Sequence, residues 1–257
     1  MTSSVTVVIP ARYGSTRFPG KPLIDLLGRP MIQHVYEQAR ACRLVDEVLV
    51  ATDDERIRAV VERFGGQVVM MTDPYRTGTD RVAGVAKTLP GDCFVDLQGD
   101  EVLLHPDLLT DLVEPFLADD VPMGTLKRRM ESDDDLQNPA VVKVATDREG
   151  YALYFSRAPI PLVRDSPQQT AMPGLHFIHL GLYIYRRQTL MQLAAMPTGL
   201  LEEAEKLEQL RALEQGIRIR VWETTHSSLR IDSPEDVPRA MQQLRDSQTG
   251  RSARQPS

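Results

Sequence analysis

Short apolar runs alternate with amphipathic segments of helical period through the first 120 residues, and few architectures accept that order. Val5–Ile9, Val48–Ala51, Val68–Met71 and Cys93–Leu97 read as buried strands. Behind Pro30, the stretch Met31–Arg40 keeps Met31, Val35, Ala39 and Cys42 on one helical face. Ile57, Val60, Val61 and Phe64 repeat the i, i+3, i+4, i+7 spacing until Gly65-Gly66 stops the helix. Thr79–Leu89 turns Val82, Val85, Ala86 and Leu89 inward, and Leu108–Leu117 is again amphipathic. Strands joined by helices of this length require crossover connections, so the chain is expected to be α/β with a mainly parallel sheet.

Past residue 120 the pattern changes. Met123–Arg128 and Val141–Thr146 read as strands around an acidic loop, Glu131–Asp135, and Ala152–Phe155 as a short strand. Pro159, Pro161, Pro167 and Pro173 make 157–176 an irregular loop. Ile178–Tyr185 alternates: Ile178, Leu180, Leu182 and Ile184 face one way, His179, Gly181, Tyr183 and Tyr185 the other. One helix is expected from Leu201 to Glu214 and a strand over Ile217–Trp222. Ser233 reads as the cap of a last helix, with Pro234 at its first position and Asp236 at its third. Residues 1–246 are read as a single domain, and the polar tail 247–257 is expected to be disordered.

Composition narrows the function. Thirty basic against 36 acidic residues give a formal charge of −6, which argues against general nucleic-acid binding but allows a local anion site. No apolar run approaches the ~20 residues of a membrane span, and no signal peptide is visible. Cys42 and Cys93 read as reduced core residues of a cytoplasmic protein, and the five histidines show no metal-ligand spacing.

The first strand empties into Pro10–Leu23, which holds Gly14 and Gly20 and three cations, Arg12, Arg17 and Lys21. Glycine lets backbone N–H groups approach a ligand, and Arg and Lys neutralise phosphate oxygens, so this loop is suited to a polyphosphate. It is neither a Walker A loop nor a dinucleotide fingerprint, since five residues separate the glycines and Pro22 follows the lysine. Asp100 follows a buried strand and Gln98-Gly99, where a carboxylate can hold a divalent ion against a phosphate or simply cap the next segment. Asp232 follows strand-like Ser228–Ile231, and it can join the same ion or favour a helix start. In Arg76–Arg81, Gly78 frees the backbone, Thr79 can cap, and Arg81 can reach an anion or a base edge. The row His179, Tyr183, Tyr185 suits a sugar-binding wall or a solvent-facing strand.

Together these segments resemble the 3-deoxy-manno-octulosonate (Kdo) cytidylyltransferases, the CMP-Kdo synthetases. The motifs are Pro10–Leu23, Ala51-Thr52-Asp53, Gly78–Arg81, Gln98–Glu101, Asn138-Pro139, Tyr151–Arg157, His179-Leu180-Gly181, Leu207–Arg211 and Asp232–Asp236. The resemblance implies a three-layer nucleotidyltransferase fold: a Rossmann-like, mainly parallel sheet with a smaller mixed subregion for dimerisation. The nucleotide half would span about 1–122, and the sugar and dimerisation half 123–246. It further implies a cytoplasmic homodimer that supplies lipopolysaccharide synthesis, with CTP and an acidic eight-carbon sugar as substrates. Ala11, Arg12, Ser15, Lys21, Gly78 and Arg81 would meet the nucleotide, with Arg12 and Lys21 also catalytic. Asp100 and Asp232 would carry Mg²⁺, and Gln98, Arg157, His179, Tyr183, Glu208 and Gln209 would line the sugar site. Two departures stand out. Val102 replaces the usual Pro, which would stiffen the turn that aims Asp100. Thr198–Glu205 is closer to the branch that activates an 8-amino sugar, so that analogue or another acidic sugar is the alternative substrate. A sensor that binds nucleotide or sugar without turnover is the non-enzyme alternative, and the two carboxylates argue against it.

Overall fold

The computed structural model describes residues 3–14, 18–103, 105–165 and 170–252. Within them the first half of the chain runs β1 (Val5–Ala11), a 3₁₀ turn (Lys21–Leu23), β2 (Asp25–Leu26), β3 (Arg29–Pro30), α1 (Met31–Ala41), β4 (Glu47–Thr52), α2 (Glu55–Arg63), β5 (Gln67–Met70), α3 (Gly78–Thr88) and β6 (Cys93–Leu97). There follow β7 (Glu101–Leu103), α4 (Asp107–Ala118), β8 (Met123–Arg129), α5 (Asp133–Gln137), β9 (Lys143–Thr146), β10 (Ala152–Ser156) and β11 (Phe177–Arg186). The chain closes with α6 (Arg187–Ala195), α7 (Leu200–Glu205), α8 (Gln209–Glu214), β12 (Ile219–Glu223), β13 (Ser228–Arg230) and α9 (Asp236–Ser252).

The expected parallel sheet forms. Strands β6, β1, β4 and β5 lie side by side, with β1 parallel to both β4 and β6. Beyond β6 the sheet turns mixed: β11 pairs antiparallel with β6, β8 and β9, while β12 joins β8 in parallel. Strand residues alternate between faces, so Val5, Val7 and Ile9 enter one core with α1 and α4, and Val8 enters another with α3 and α6. The result is three layers, with both faces of the sheet covered. Strand order reverses between β1 and β6. Connections leave that point in opposite directions and open a crevice at the carboxyl ends of the strands. Gly99 permits a tight approach there, because a Cβ on it would sit 3.0 Å from the Pro10 carbonyl oxygen.

Several elements differ from expectation. The helix expected from Leu201 to Glu214 is two, α7 and α8, broken at Lys206 with φ +55°. Buried Arg211 closes that break with a bidentate pair to Glu202, Nε–Oε2 2.7 Å and Nη2–Oε1 2.5 Å. Helix α5 starts within the expected acidic loop Glu131–Asp135, and its first turn collects Asp133, Asp134 and Asp135 where the helix dipole favours them. Helix α6 arises in a stretch for which no helix was expected. Helix α9 begins at Asp236 instead of behind a Ser233 cap. The capping runs the other way: Asp236 Oδ2 accepts from the backbone N–H groups of Asp232 and Ser233, both at 2.9 Å. It also runs through Ser252, so 247–252 are helical. Both rows of β11 are covered: Tyr185 is 1 % and His179 9 % exposed, so the polar row is no solvent-facing edge.

Candidate active site

Two clefts open at the carboxyl ends of β1 and β6 and share the walls Gln98, Glu208 and Arg230. The first encloses about 280 Å³ between Arg12, Lys21, the Tyr75–Gly78 turn and Arg81. The second encloses about 380 Å³ and is walled by β11 and α8.

The basic loop reaches the first cleft by folding back on itself. The Gly20 N–H donates to the Tyr13 carbonyl at 2.9 Å, and Gly20 takes φ +73°, a conformation that glycine adopts freely. This turn delivers Lys21 into the cleft, where its Nζ lies 2.6 Å from Asp100 Oδ2 and 3.9 Å from Asp232 Oδ1. The Lys21 ammonium thus lies between the two aspartates. A short ladder brings them there: β7 pairs antiparallel with β13, Glu101 opposite Arg230, and the Ile231 N–H donates to the Asp100 carbonyl. Val102 lies opposite Leu229 in this ladder and is fully buried. Arg230 Nε also lies 3.1 Å from Asp232 Oδ2.

Arg12 is exposed on the rim of the cleft, and Ala11 lines it. Ser15 and Arg17 lie outside the described residues. Arg81 is 6 % exposed; its Nη2 pairs with Asp53 Oδ2 at 3.0 Å, while its Nη1 is buried with no hydrogen-bond partner among the described residues. An orphan buried donor on a cleft wall is a ligand contact in waiting. Gly78 faces Gln98 so closely that a Cβ would fall 2.6 Å from Gln98 Nε2. The helix cap is Thr77, which accepts from the Asp80 N–H, and not Thr79, whose hydroxyl donates to Glu208 Oε2 at 2.7 Å.

The second cleft gathers Arg128, Arg157, Lys206, Arg230 and Arg239 with Gln98, His179, Tyr183, Glu208 and Gln209. Burial, then the charge of Arg230, pushes His179 down to about 3, so the ring is neutral. Thr125 has one hydroxyl proton, and its shortest acceptor is the Leu182 carbonyl at 2.6 Å; its oxygen therefore accepts from His179 Nε2–H at 3.0 Å. That assignment leaves Nδ1 as the acceptor of the ring. Burial raises the Tyr183 phenol well above its usual range, so it stays protonated. Gln209 Nε2 is a second buried donor with no partner among the described residues. Arg157 is more tightly engaged than a freely reaching arm. Its guanidinium donates to the carbonyls of Glu205, Pro139 and Lys206, which ties the α7–α8 break to the cleft. Tyr185 is core, not cleft wall.

Asp96 was not foreseen as a site residue. It lies within β6, lines the second cleft and accepts from Gln98 Nε2 at 2.7 Å. Burial, with Glu208 nearby, holds its carboxyl well above the usual range. An acid inside the apolar run Cys93–Leu97 was the signal for it. Arg230 gave no such signal, because it acts only once β13 has paired.

A family model described as cytidylyltransferase matches residues 6–219. A 3-deoxy-manno-octulosonate cytidylyltransferase of Trichlorobacter lovleyi is 51 % identical over 248 residues, covering 94 % of this chain and 98 % of the relative. One of Geobacter sulfurreducens is 50 % identical, covering 94 % and 100 %. A solved CMP:2-keto-3-deoxy-manno-octonic acid synthetase complexed with CTP superposes with a TM-score of 0.88 at 39 % identity, covering 95 % of this chain and 99 % of that one. The chain belongs to the cytidylyltransferase family, on the branch of the 3-deoxy-manno-octulosonate cytidylyltransferases.

Proposed function

We propose that this chain is an enzyme that transfers CMP from CTP to the anomeric hydroxyl of 3-deoxy-manno-octulosonate and releases pyrophosphate. The observation that supports it is the meeting of two differently equipped clefts at Gln98, Glu208 and Arg230, with Lys21, Asp100 and Asp232 together on the wall of the first. The first suits a nucleoside triphosphate. Arg12 and Lys21 neutralise its phosphates, and Ala11, Gly78 and the open donor of Arg81 meet the nucleotide. The second suits an acidic polyol. Its cations take the carboxylate, while neutral His179, Tyr183, Gln98, Glu208 and Gln209 read hydroxyls.

The donor set fits Mg²⁺. Asp100 and Asp232 are oxygen donors on either side of the Lys21 ammonium, and their side chains stay 20 % and 29 % exposed, which leaves access for water and phosphate oxygens. When bound, the ion polarises the α-phosphate and the attacking hydroxyl. The chain's own residues do the rest. Holding the sugar in one cleft and the triphosphate in the other sets the hydroxyl in line with the α-phosphorus, so that the new P–O bond forms as the bond to pyrophosphate breaks. Arg12 and Lys21 take up the charge that develops on pyrophosphate. Among the described residues no Ser, Cys or His lines the first cleft, and His179, at about 3, is too weak a base to take the hydroxyl proton near neutral pH.

The test is pyrophosphate release with CTP, Mg²⁺ and a panel of Kdo, its 8-amino analogue and a sialic acid. Fastest turnover is expected with Kdo, together with loss of about a hundredfold or more in Asp100→Asn with the fold intact. Preference for the 8-amino sugar would replace the substrate, and no turnover on any arm would turn the reading to a sensor. Among the described residues no helix is long and apolar enough to cross a membrane. Cytoplasmic location and homodimerisation belong to the same proposal. Exposed Leu153 on β10, at the margin of the sheet, and Leu162, Met172 and Leu175 on the loop after it support a dimer face. Light scattering of the purified protein measures it.

A further inference from the structure

The ladder that joins Asp100 to Asp232 carries a second group of metal-ligating side chains at its opposite end. The ladder ends at the pair Leu103↔Ser228, and His105 and His226 each lie two residues beyond it. Their rings stack with centroids 4.9 Å apart and 9° between planes. Asp107, the first residue of α4, places Oδ2 3.2 Å from His105 Nδ1. One ligand atom from each of the three lies within 4.8 Å of the other two. Ligands of a single tetrahedral zinc, bound at about 2.1 Å, stand about 3.4 Å apart, so only small side-chain rotations separate this cluster from coordination. The loop bearing His226 is already fastened to α4: Thr224 Oγ1 donates to Asp111 Oδ2 at 2.5 Å and accepts from the His226 N–H at 3.0 Å. Sequence spacing conceals the cluster, because His226 is distant from the other two along the chain and only the ladder unites them.

We infer that His105, Asp107 and His226 form a site for a borderline divalent transition ion, Zn²⁺ or a relative, distinct from the magnesium carboxylates. Two imidazoles and one carboxylate match zinc, copper or nickel better than magnesium, which prefers oxygen alone. A bound ion would staple the turn before α4 to the loop before β13. The Asp107 N–H now donates to His105 Nδ1 at 3.2 Å and would release that bond.

The experiment is calorimetric titration of the EDTA-stripped, full-length protein with Zn²⁺ in excess Mg²⁺, so that the carboxylate pair is filled. One equivalent is expected, with affinity weakened at least about tenfold in His226→Ala and in His105→Asn, the latter keeping a capping acceptor for α4. Zn²⁺ should raise the melting temperature of the parent but not of His226→Ala. Asp100→Asn should bind Zn²⁺ as the parent does. On the unmodified protein, Cu²⁺ electron paramagnetic resonance should show two imidazole nitrogens, a readout that needs no variant to fold. Parent-like Zn²⁺ affinity in both histidine variants, or a copper spectrum with oxygen ligands alone, overturns the site and leaves His105 as a helix cap only.

Discussion

Lys21 stands between two acids, and its removal affects two things at once. Its ammonium lies 2.6 Å from Asp100, so Lys21→Ala removes both a cation for the triphosphate and the charge that lets Asp100 and Asp232 stay close. The KM for CTP should rise by about tenfold or more, the cost of one good charged contact, with the KM for the sugar nearly unchanged. Steady-state kinetics varying each substrate checks this, and the opposite ranking would mean that the triphosphate lies elsewhere. His179 yields a pH prediction. Its folded-state value of about 3 lies below the ordinary 6.5, so below pH 6.5 the unfolded chain takes up a proton that the native chain refuses. Stability should therefore fall on acidification from 6.5 toward 3, by at most about 1.4 kcal/mol per pH unit. His179→Gln should flatten that part of the curve; parallel melting curves for the two proteins between pH 7 and 4 would refute it. At this scale the sequence was informative wherever chemistry and position coincided. Asp100 and Arg81 lie beside the end of a strand and the start of a helix that periodicity had already located, and Lys21 lies in the basic loop after the first strand. Asp96 was missed because its signal was a mismatch, an acid in an apolar run, and not a motif.

Helices α7 and α8 show what element-level reading lacks. The apolar positions Ala204, Leu207 and Leu210 fit one continuous helix, and nothing local marks Lys206 as the break. The cause is tertiary: Arg157 draws the carbonyls of Glu205 and Lys206 toward the cleft, and Arg211 draws Glu202 back from the other side. The break aims Glu208 at Thr79, across the mouth where the clefts join. Glu202→Ala should leave Arg211 buried without its bidentate partner, Asp80 at 3.7 Å being the remaining salt-bridge contact, and lower stability by about 3 kcal/mol. It should raise the KM for the sugar, since Glu208 and Gln209 ride on α8, while CTP affinity holds. Denaturant titration with substrate-specific kinetics tests the pair of effects; an unchanged sugar KM would make the ion pair structural only. The β7–β13 ladder was half legible. Ser228–Ile231 reads as a strand, but three-residue β7 has no periodicity to read, and so the residues left the convergence of Asp100 with Asp232 as one of two readings and the resemblance chose between them.

At the scale of the whole molecule, the parallel half was legible because each βα unit is local, whereas the mixed half depends on pairings between distant segments. The chain's end belongs to that second kind. Read as a domain closing at 246 with a loose tail, it in fact continues as α9, whose Ala240 and Leu244 are buried in the core shared by β1, α1 and α4. Its first residue does more than start a helix. Burial works to raise the Asp236 carboxyl, but the N–H bonds from Asp232 and Ser233 outweigh it and hold the group below its usual range, so it stays charged near neutral pH. That carboxylate fixes the backbone on which Asp232 is mounted. A chain ending at residue 246 keeps both contributions and should melt and turn over like the parent. A chain ending at residue 235 loses the buried leucine and alanine, about 3 kcal/mol or more of apolar burial, and should melt far lower. Asp236→Ala separates stability from function: α9 remains, yet Asp232 is no longer tethered, so kcat should fall by about tenfold while the core stays folded. Parent-like turnover in Asp236→Ala would mean that the β7–β13 ladder alone suffices to place Asp232. A low melting temperature for the 246-residue chain would show that the last turns of α9 belong to the fold.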